Sequence, residues 1–168
     1  EECYEYVALK VNGTTKVKHN YGGTEVEIDF KAPWPRKTMA QAIQEELGVD
    51  VLSQSKENLL DYANQQGLET SASMEWGDLV LEIFELAEKK IIQPTHICDM
   101  PKEGTPLCKR HRKDDRLNEQ CEPIGLGMEL GNMYSELNDP QVQEEEFKKQ
   151  VERGRGGDDE AHPMDEDF

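Results

Sequence analysis

The segment from Glu129 to Pro140 constrains this chain most. It reads Glu-Leu-Gly-Asn-Met-Tyr-Ser-Glu-Leu-Asn-Asp-Pro. Strand side chains alternate between faces, so an extended backbone puts Asn132, Tyr134 and Glu136 on one side. An amide, a phenol and a carboxylate buried there without partners would cost roughly 2–7 kcal/mol each. That face therefore either meets water or lines a site. Asp139-Pro140 closes the segment as a helix start, with Asp139 as N-cap and Pro140 in the first turn. Glu129 has the wrong parity for the Asn132 face. A bulge near Gly131 would swing it across, because glycines commonly mark bulges.

The residues just upstream supply a partner strand. Cys121-Glu122-Pro123-Ile124 is extended in character, and Gly125-Leu126-Gly127 reads as the turn into Met128–Leu137. Glu122 and Glu129 then stand on its two arms. Two carboxylates on adjacent strands suit Mg²⁺, with substrate phosphates filling its other positions; the alternative is a pair of solvated edge acids. The Asn132, Tyr134 and Glu136 face suits an amino-acid-like ligand: Glu136 for an ammonium, Tyr134 for an alkyl stem, Asn132 for a polar end. An edge strand facing water explains the same alternation.

The earlier chain is helical with one hairpin. Tyr4, Val7, Ala8 and Val11 recur at helical spacing, and Asn12-Gly13 stops that helix. Thr14–Lys18 and Glu25–Phe30 alternate as strands around Tyr21-Gly22-Gly23. Ala32-Pro33-Trp34-Pro35 interrupts the pattern, since neither proline donates to a ladder. Three short amphipathic helices follow: from Lys37 or Thr38 to Gly48, from Ser55 to Gly67, and from about Glu75 with Leu79, Val80, Ile83, Phe84 and Ala87 inward. Ile91–Asp99 reads as a strand. Residues 100–118 read as a long irregular loop, of the kind that is functional or disordered. Glu144/Lys148 and Glu145/Lys149 are i,i+4 pairs on the last helix, which Gly154 ends. The acidic tail 156–168 is expected to be loosely ordered.

Charge excludes some partners. The 168 residues carry a net charge of −17, which argues against a nucleic-acid groove or an anionic membrane surface on this segment. Basic residues concentrate only at Lys109–Lys113. No run of about 18 apolar residues spans a membrane, and no signal peptide opens the chain. Four cysteines (Cys3, Cys98, Cys108, Cys121) lack close pairing in sequence and suit reduced thiols in a cytoplasmic protein. Zinc is a further candidate at Cys98, Cys108, His111 and Cys121, with His96 nearby. Only Cys108-x-x-His111 has the ligand spacing of a structural zinc site. The chain has no phosphate-binding loop, zinc-protease or nucleophile-elbow motif, and no catalytic residue is assigned.

At these residues the chain resembles class II lysyl-tRNA synthetases. The resemblance runs through Glu27-Ile28-Asp29-Phe30, Pro33-Trp34-Pro35-Arg36 and Met39. It continues through Gln93-Pro94-Thr95, Asp99-Met100-Pro101, Pro106-Leu107, and Lys109, His111 and Arg112. Its most specific element is Asn132-x-Tyr134-Ser135-Glu136-Leu137-Asn138-Asp139-Pro140, and it ends at Gly157–Ala161 and Asp165–Phe168. It implies an α+β fold: part of a class II aminoacyl-tRNA synthetase antiparallel sheet with a small helical insertion subdomain. The expected divisions are a hairpin and extended segment over 12–36, the insertion over 37–90, sheet strands over 91–138, a helix over 139–155 and the tail.

The implied activity is ATP-dependent conversion of lysine to lysyl-adenylate and its transfer to tRNA(Lys). Glu122 and Glu129 would hold Mg²⁺ on the ATP phosphates, and Asn132, Tyr134 and Glu136 would bind lysine. A homodimer formed through regions outside this chain is implied as well. The family usually has Arg-Phe-Glu where this chain has Gln120-Cys121-Glu122. The arginine-bearing motifs 2 and 3 would lie before Glu1 and after Phe168; Gly125–Leu130 echoes motif 3 but has Leu130 where its arginine belongs. The anticodon-binding barrel is also expected elsewhere, so the segment alone is expected to be inactive. The alternatives are a non-catalytic lysine- or nucleotide-binding or interaction module, and a synthetase-like protein lysyltransferase.

Overall fold

The computed structural model describes residues 1–155 and Met164. The expected tail, with Gly157–Ala161 and Asp165–Phe168, lies outside the described residues. Helix α1 (Glu2–Asn12) ends on Gly13, whose φ of 71° and N–H bond to the Leu9 carbonyl terminate it in the left-handed region. Strands β1 (Lys16–Tyr21) and β2 (Thr24–Asp29) pair antiparallel around Gly22-Gly23. Both glycines have positive φ, as a two-residue hairpin turn with matching twist requires.

Strand β3 (Arg36–Thr38) runs directly into α2 (Met39–Leu47). Thr38 accepts from the Gln41 N–H while the Gln41 side chain accepts from the Thr38 N–H, a reciprocal cap of a kind that contributes about 1 kcal/mol. Helix α3 (Lys56–Gln66) is capped by Ser55, and α4 (Trp76–Glu88) by Glu75. The apolar stripes read from sequence for α2, α3 and α4 carry the buried residues: Met39, Ala42 and Ile43 from α2, Leu59 and Ala63 from α3, and Leu79, Val80, Ile83, Phe84 and Ala87 from α4; the stripe read for α1 does not, since only Ala8 is buried there and Tyr4, Val7 and Val11 are exposed. The buried residues of α2, α3 and α4 share one core with Ile97 and Ile124 of the sheet, so these three helices lie over one sheet face.

Strand β4 (Thr95–Cys98) sits between β3 and β5 (Gln120–Gly125). The antiparallel expectation holds for β4–β5 and for β5 with both β6 (Met128–Glu129) and β7 (Met133–Tyr134), but β3–β4 is parallel. The sheet is therefore mixed. The chain leaves β3, runs through the three helices and returns beside it, which is the connection a parallel pair needs. The strand expected over Ile91–Asp99 is shorter than its apolar run. Ile91 and Ile92 instead accept from the N–H groups of Gly127 and Leu126, holding the β5–β6 turn.

Residues 100–118 are irregular but pinned. A short 3₁₀ turn (Lys102–Gly104) and single bridges Pro101–Leu117, Arg110–Asn118 and Cys108–Glu136 order them. Helix α5 (Pro140–Arg155) starts as expected, with Asp139 Oδ1 accepting from the N–H groups of Gln141 and Val142. Gly154 lies within it rather than after it. Lys148 pairs with Glu144, but Lys149 pairs with Glu146 rather than Glu145.

Gly77 marks where α4 meets residues 101–104. A Cβ there would fall 1.8 Å from Glu103 Oε2 and 2.9 Å from Pro101 Cβ. Alanine gains about 1 kcal/mol of helix propensity over glycine, yet overpacking costs about 1–3 kcal/mol. Gly77→Ala is expected to lower the urea midpoint; a raised midpoint would show that Glu103 swings away freely.

Candidate functional site

Strand β5 carries the site, and a bulge completes it. Ile124 faces Glu129 and Cys121 faces Met133, so Glu122 and Pro123 lie opposite the three residues Leu130, Gly131 and Asn132. The Leu130 N–H still donates to the Pro123 carbonyl at 2.7 Å, which places the extra residue at Gly131–Asn132. The single strand expected over Met128–Leu137 is thereby split into β6 and β7. Residues in register share a face. Glu129 therefore points with Ile124 and Glu122, while Tyr134 points with Gln120. Without the extra residue, Glu129 and Tyr134 would face opposite sides.

Three side chains on that face close a triangle. Gln120 Nε2 donates to Glu122 Oε1 at 2.9 Å and to Asn132 Oδ1 at 3.3 Å, and Asn132 Nδ2 donates to the same Glu122 oxygen at 2.9 Å. The other Glu122 oxygen takes no part in it. Gln120 is a residue that sequence reasoning missed as functional. Its amide makes two hydrogen bonds within the triangle but brings no positive charge.

The electrostatics follow from that. Burial, then the charges of Glu129 and Glu88, push the Glu122 carboxyl up to about 7, against the opposing effect of the Gln120 donor. Glu88, at the end of α4, is itself raised by burial, by Glu85 and by Glu129. Sequence reasoning missed Glu88 too, because it sits on a helix far away in the chain. These carboxylates crowd one another, and a bound cation would relieve the repulsion.

The sign of the pH effect is fixed by the raised value. Below the ordinary carboxylate pKa of 4.5 Glu122 is protonated in both folded and unfolded chains; between 4.5 and about 7 only the unfolded chain ionises. Folding stability from this group is therefore full at low pH and falls as pH rises to about 7. Glu122→Gln removes that loss. Its stability relative to the parent is expected to rise between pH 4.5 and 7 and then level off, as measured by urea melts without divalent cations. A pH-independent difference would mean that Glu122 ionises normally.

Asn132, Glu129 and Glu136 are exposed, and Tyr134 is 38 % exposed. Glu136 lies two residues beyond Tyr134 in extended chain. Its backbone bridges Cys108, flanked by Lys109 N–H to Ser135 O at 2.8 Å and Leu137 N–H to Leu107 O at 3.0 Å. The pinned loop thus fixes where Glu136 stands. Two of the loop's arginines pair with acids outside it: Arg110 with Glu146 of α5, and Arg112 with Glu119.

The zinc candidate fails on geometry. Cys98 and Cys121 meet across β4–β5, but Cys108 is turned to the Lys109 carbonyl and His111 lies 3.8 Å from Asp99. Among the described residues, no group of three or more His, Cys, Asp or Glu is placed to hold a metal ion. Glu122 and Glu129 are a pair, which fits a Mg²⁺ shared with substrate phosphates rather than a protein cage. Among the described residues, no helix is long and apolar enough to cross a membrane.

The chain belongs to the family of class II tRNA synthetases (D, K and N), whose model matches residues 1–168. Within that family it is 46 % identical to the lysine–tRNA ligase of Clostridium novyi, 42 % to that of Thermosipho melanesiensis and 44 % to that of Porphyromonas gingivalis. Each match covers 100 % of this chain and between 28 and 33 % of the relative. The chain thus spans about a third of the length of these relatives.

Proposed function

We propose that the full-length protein is a lysine–tRNA ligase, and that this chain forms one wall of its catalytic site. The observation that carries the reading is the bulge at Gly131–Asn132, which brings Glu129 onto the face of Glu122, Asn132 and Tyr134. In this reading Glu122 and Glu129 hold Mg²⁺ against the ATP phosphates. The bound ion supplies charge neutralisation and orientation for phosphoryl chemistry. Gln120 and Asn132 fix the Glu122 carboxylate so that its second oxygen is presented, and Asn132 meets the polar end of lysine. Tyr134 covers the lysine stem, and Glu136 pairs with the ε-ammonium. A carboxylate opposite an ammonium selects strongly, because a neutral side chain leaves the charge unpaired.

These roles suit the reaction of a lysine–tRNA ligase. The lysine carboxylate attacks the α-phosphorus of ATP, pyrophosphate leaves, and the lysyl group of the adenylate then passes to tRNA(Lys). The residues on this wall work by positioning and charge stabilisation; none donates or accepts the transferred group. The protein would work in the cytoplasm and as a homodimer. Calorimetry on the full-length protein tests the reading: lysine is expected to bind, and more tightly with Mg²⁺ and a non-hydrolysable ATP analogue present. No lysine heat under either condition would overturn it.

A further inference from the structure

We propose that Cys98 and Cys121 form a dithiol modification site, which a hydroperoxide converts to a cross-strand disulfide. The two residues are direct register partners on β4 and β5. The Asp99 N–H donates to the Gln120 carbonyl at 3.0 Å, so the pair lies between ladder hydrogen bonds rather than within them. Such pairs hold their Cα atoms about 4.5 Å apart, inside the roughly 4.4–6.8 Å that a disulfide spans. The thiols touch, Cys98 Sγ to Cys121 Sγ at 2.7 Å, and both residues are half-buried and free. The backbone has no distance to close when the bond forms.

The site is separate from the proposed catalytic wall. Alternation along β5 puts Cys121 on the opposite face from Gln120 and Glu122, and its register partner on β7 is Met133. The other cysteines are excluded by placement: Cys108 is buried against the Lys109 carbonyl and Cys3 lies on α1.

Cys98 thiolate attacks one peroxide oxygen. The O–O bond breaks, and the leaving oxygen takes the proton as water or alcohol. Cys121 sulfur then displaces hydroxide from the Cys98 sulfenic acid. The S–S bond forms, and the Cys121 proton leaves with that hydroxide as water. Two thiols are oxidised by two electrons and one peroxide is reduced. The new bond closes residues 98–121 into a loop. It therefore staples the base of the segment that bridges Glu136, and it constrains the unfolded chain.

The test is hydrogen peroxide treatment of the full-length protein, alkylation, digestion and mass spectrometry, alongside thermal melts. The expected result is one linked peptide pair, Cys98–Cys121, with Cys108 alkylated only after unfolding. The melting temperature should rise, and dithiothreitol should reverse the rise. Cys98→Ser and Cys121→Ser should each abolish both the link and the rise; should either variant fail to fold, Cys98→Ala or Cys121→Val replaces it. Recovery of both residues as separate thiols or sulfinic acids, or linkage of either to Cys3 or Cys108, would overturn the proposal. It does not rest on the lysine–tRNA ligase reading.

Discussion

Deleting Gly131 from the full-length protein is expected to reduce lysine-dependent ATP–pyrophosphate exchange by about 10²-fold or more, the scale of effect when reacting groups are displaced by an ångström or so. The Leu126-Gly127 turn, with both residues at positive φ, fixes the register of Glu129. The Cys108 bridge and the Asp139 cap fix the register beyond Tyr134. Removing the one surplus residue leaves a continuous ladder. A one-residue slip in a ladder turns side chains to the other face. Either Glu129 leaves the face of Glu122, or Asn132, Tyr134 and Glu136 leave it.

Gly131→Ala is the matched control. A Cβ there meets only Pro123 Cγ, at 3.7 Å, and Gly131 is not among the positive-φ residues. Alanine should fit, with stability changed by no more than about 0.5 kcal/mol and exchange near the parent level. Near-parental exchange in the deletion variant would mean that the bulge does not align the site. A large loss in the alanine variant would mean that Gly131 is needed for something other than its extra length.

The second large effect is expected at Glu136. Glu136→Gln should lower kcat/KM for lysine in the exchange reaction by about 10²-fold or more, since leaving one charge of a desolvated pair unpartnered costs about 2–5 kcal/mol. The same variant should lose discrimination between lysine and norleucine, whose side chain is neutral. The fold should be indifferent, because the bridge to Cys108 uses the backbone of Glu136 and not its carboxylate. Unchanged selectivity would remove Glu136 from the lysine pocket.

What could be read from sequence was local. The stripes of α2, α3 and α4, the Gly22-Gly23 turn, the helix start near Thr38, the caps at Ser55 and Asp139, and the requirement for a bulge near Gly131 all rest on the nearest few residues. What could not be read was set by distant pairing. Arg36–Thr38 is three residues long and follows two prolines, so nothing in its own pattern marks a strand; it exists because β4 lies beside it. Residues 100–118 read as a loose loop because their hydrogen bonds go to single bridges, not to a ladder.

The site divides in the same way. Glu122, Glu129, Asn132, Tyr134 and Glu136 were candidates from type and spacing. Gln120 ties Glu122 to Asn132, and Glu88 adds its charge to theirs; both parts emerge only when β5, β7 and α4 come together. Burial and then the charges of Glu129 and Glu88 raise the Glu122 carboxyl, and the neutral Gln120 amide opposes them only by its hydrogen bond.

The most direct test is amino-acid-dependent ATP–pyrophosphate exchange by the full-length protein, with lysine, aspartate and asparagine compared side by side. The family as a whole is described by those three amino acids, and the reading of Glu136 as the partner of an ammonium separates them. Exchange with lysine and not with the other two is the predicted result. Exchange driven by aspartate or asparagine, or none with lysine, would contradict it.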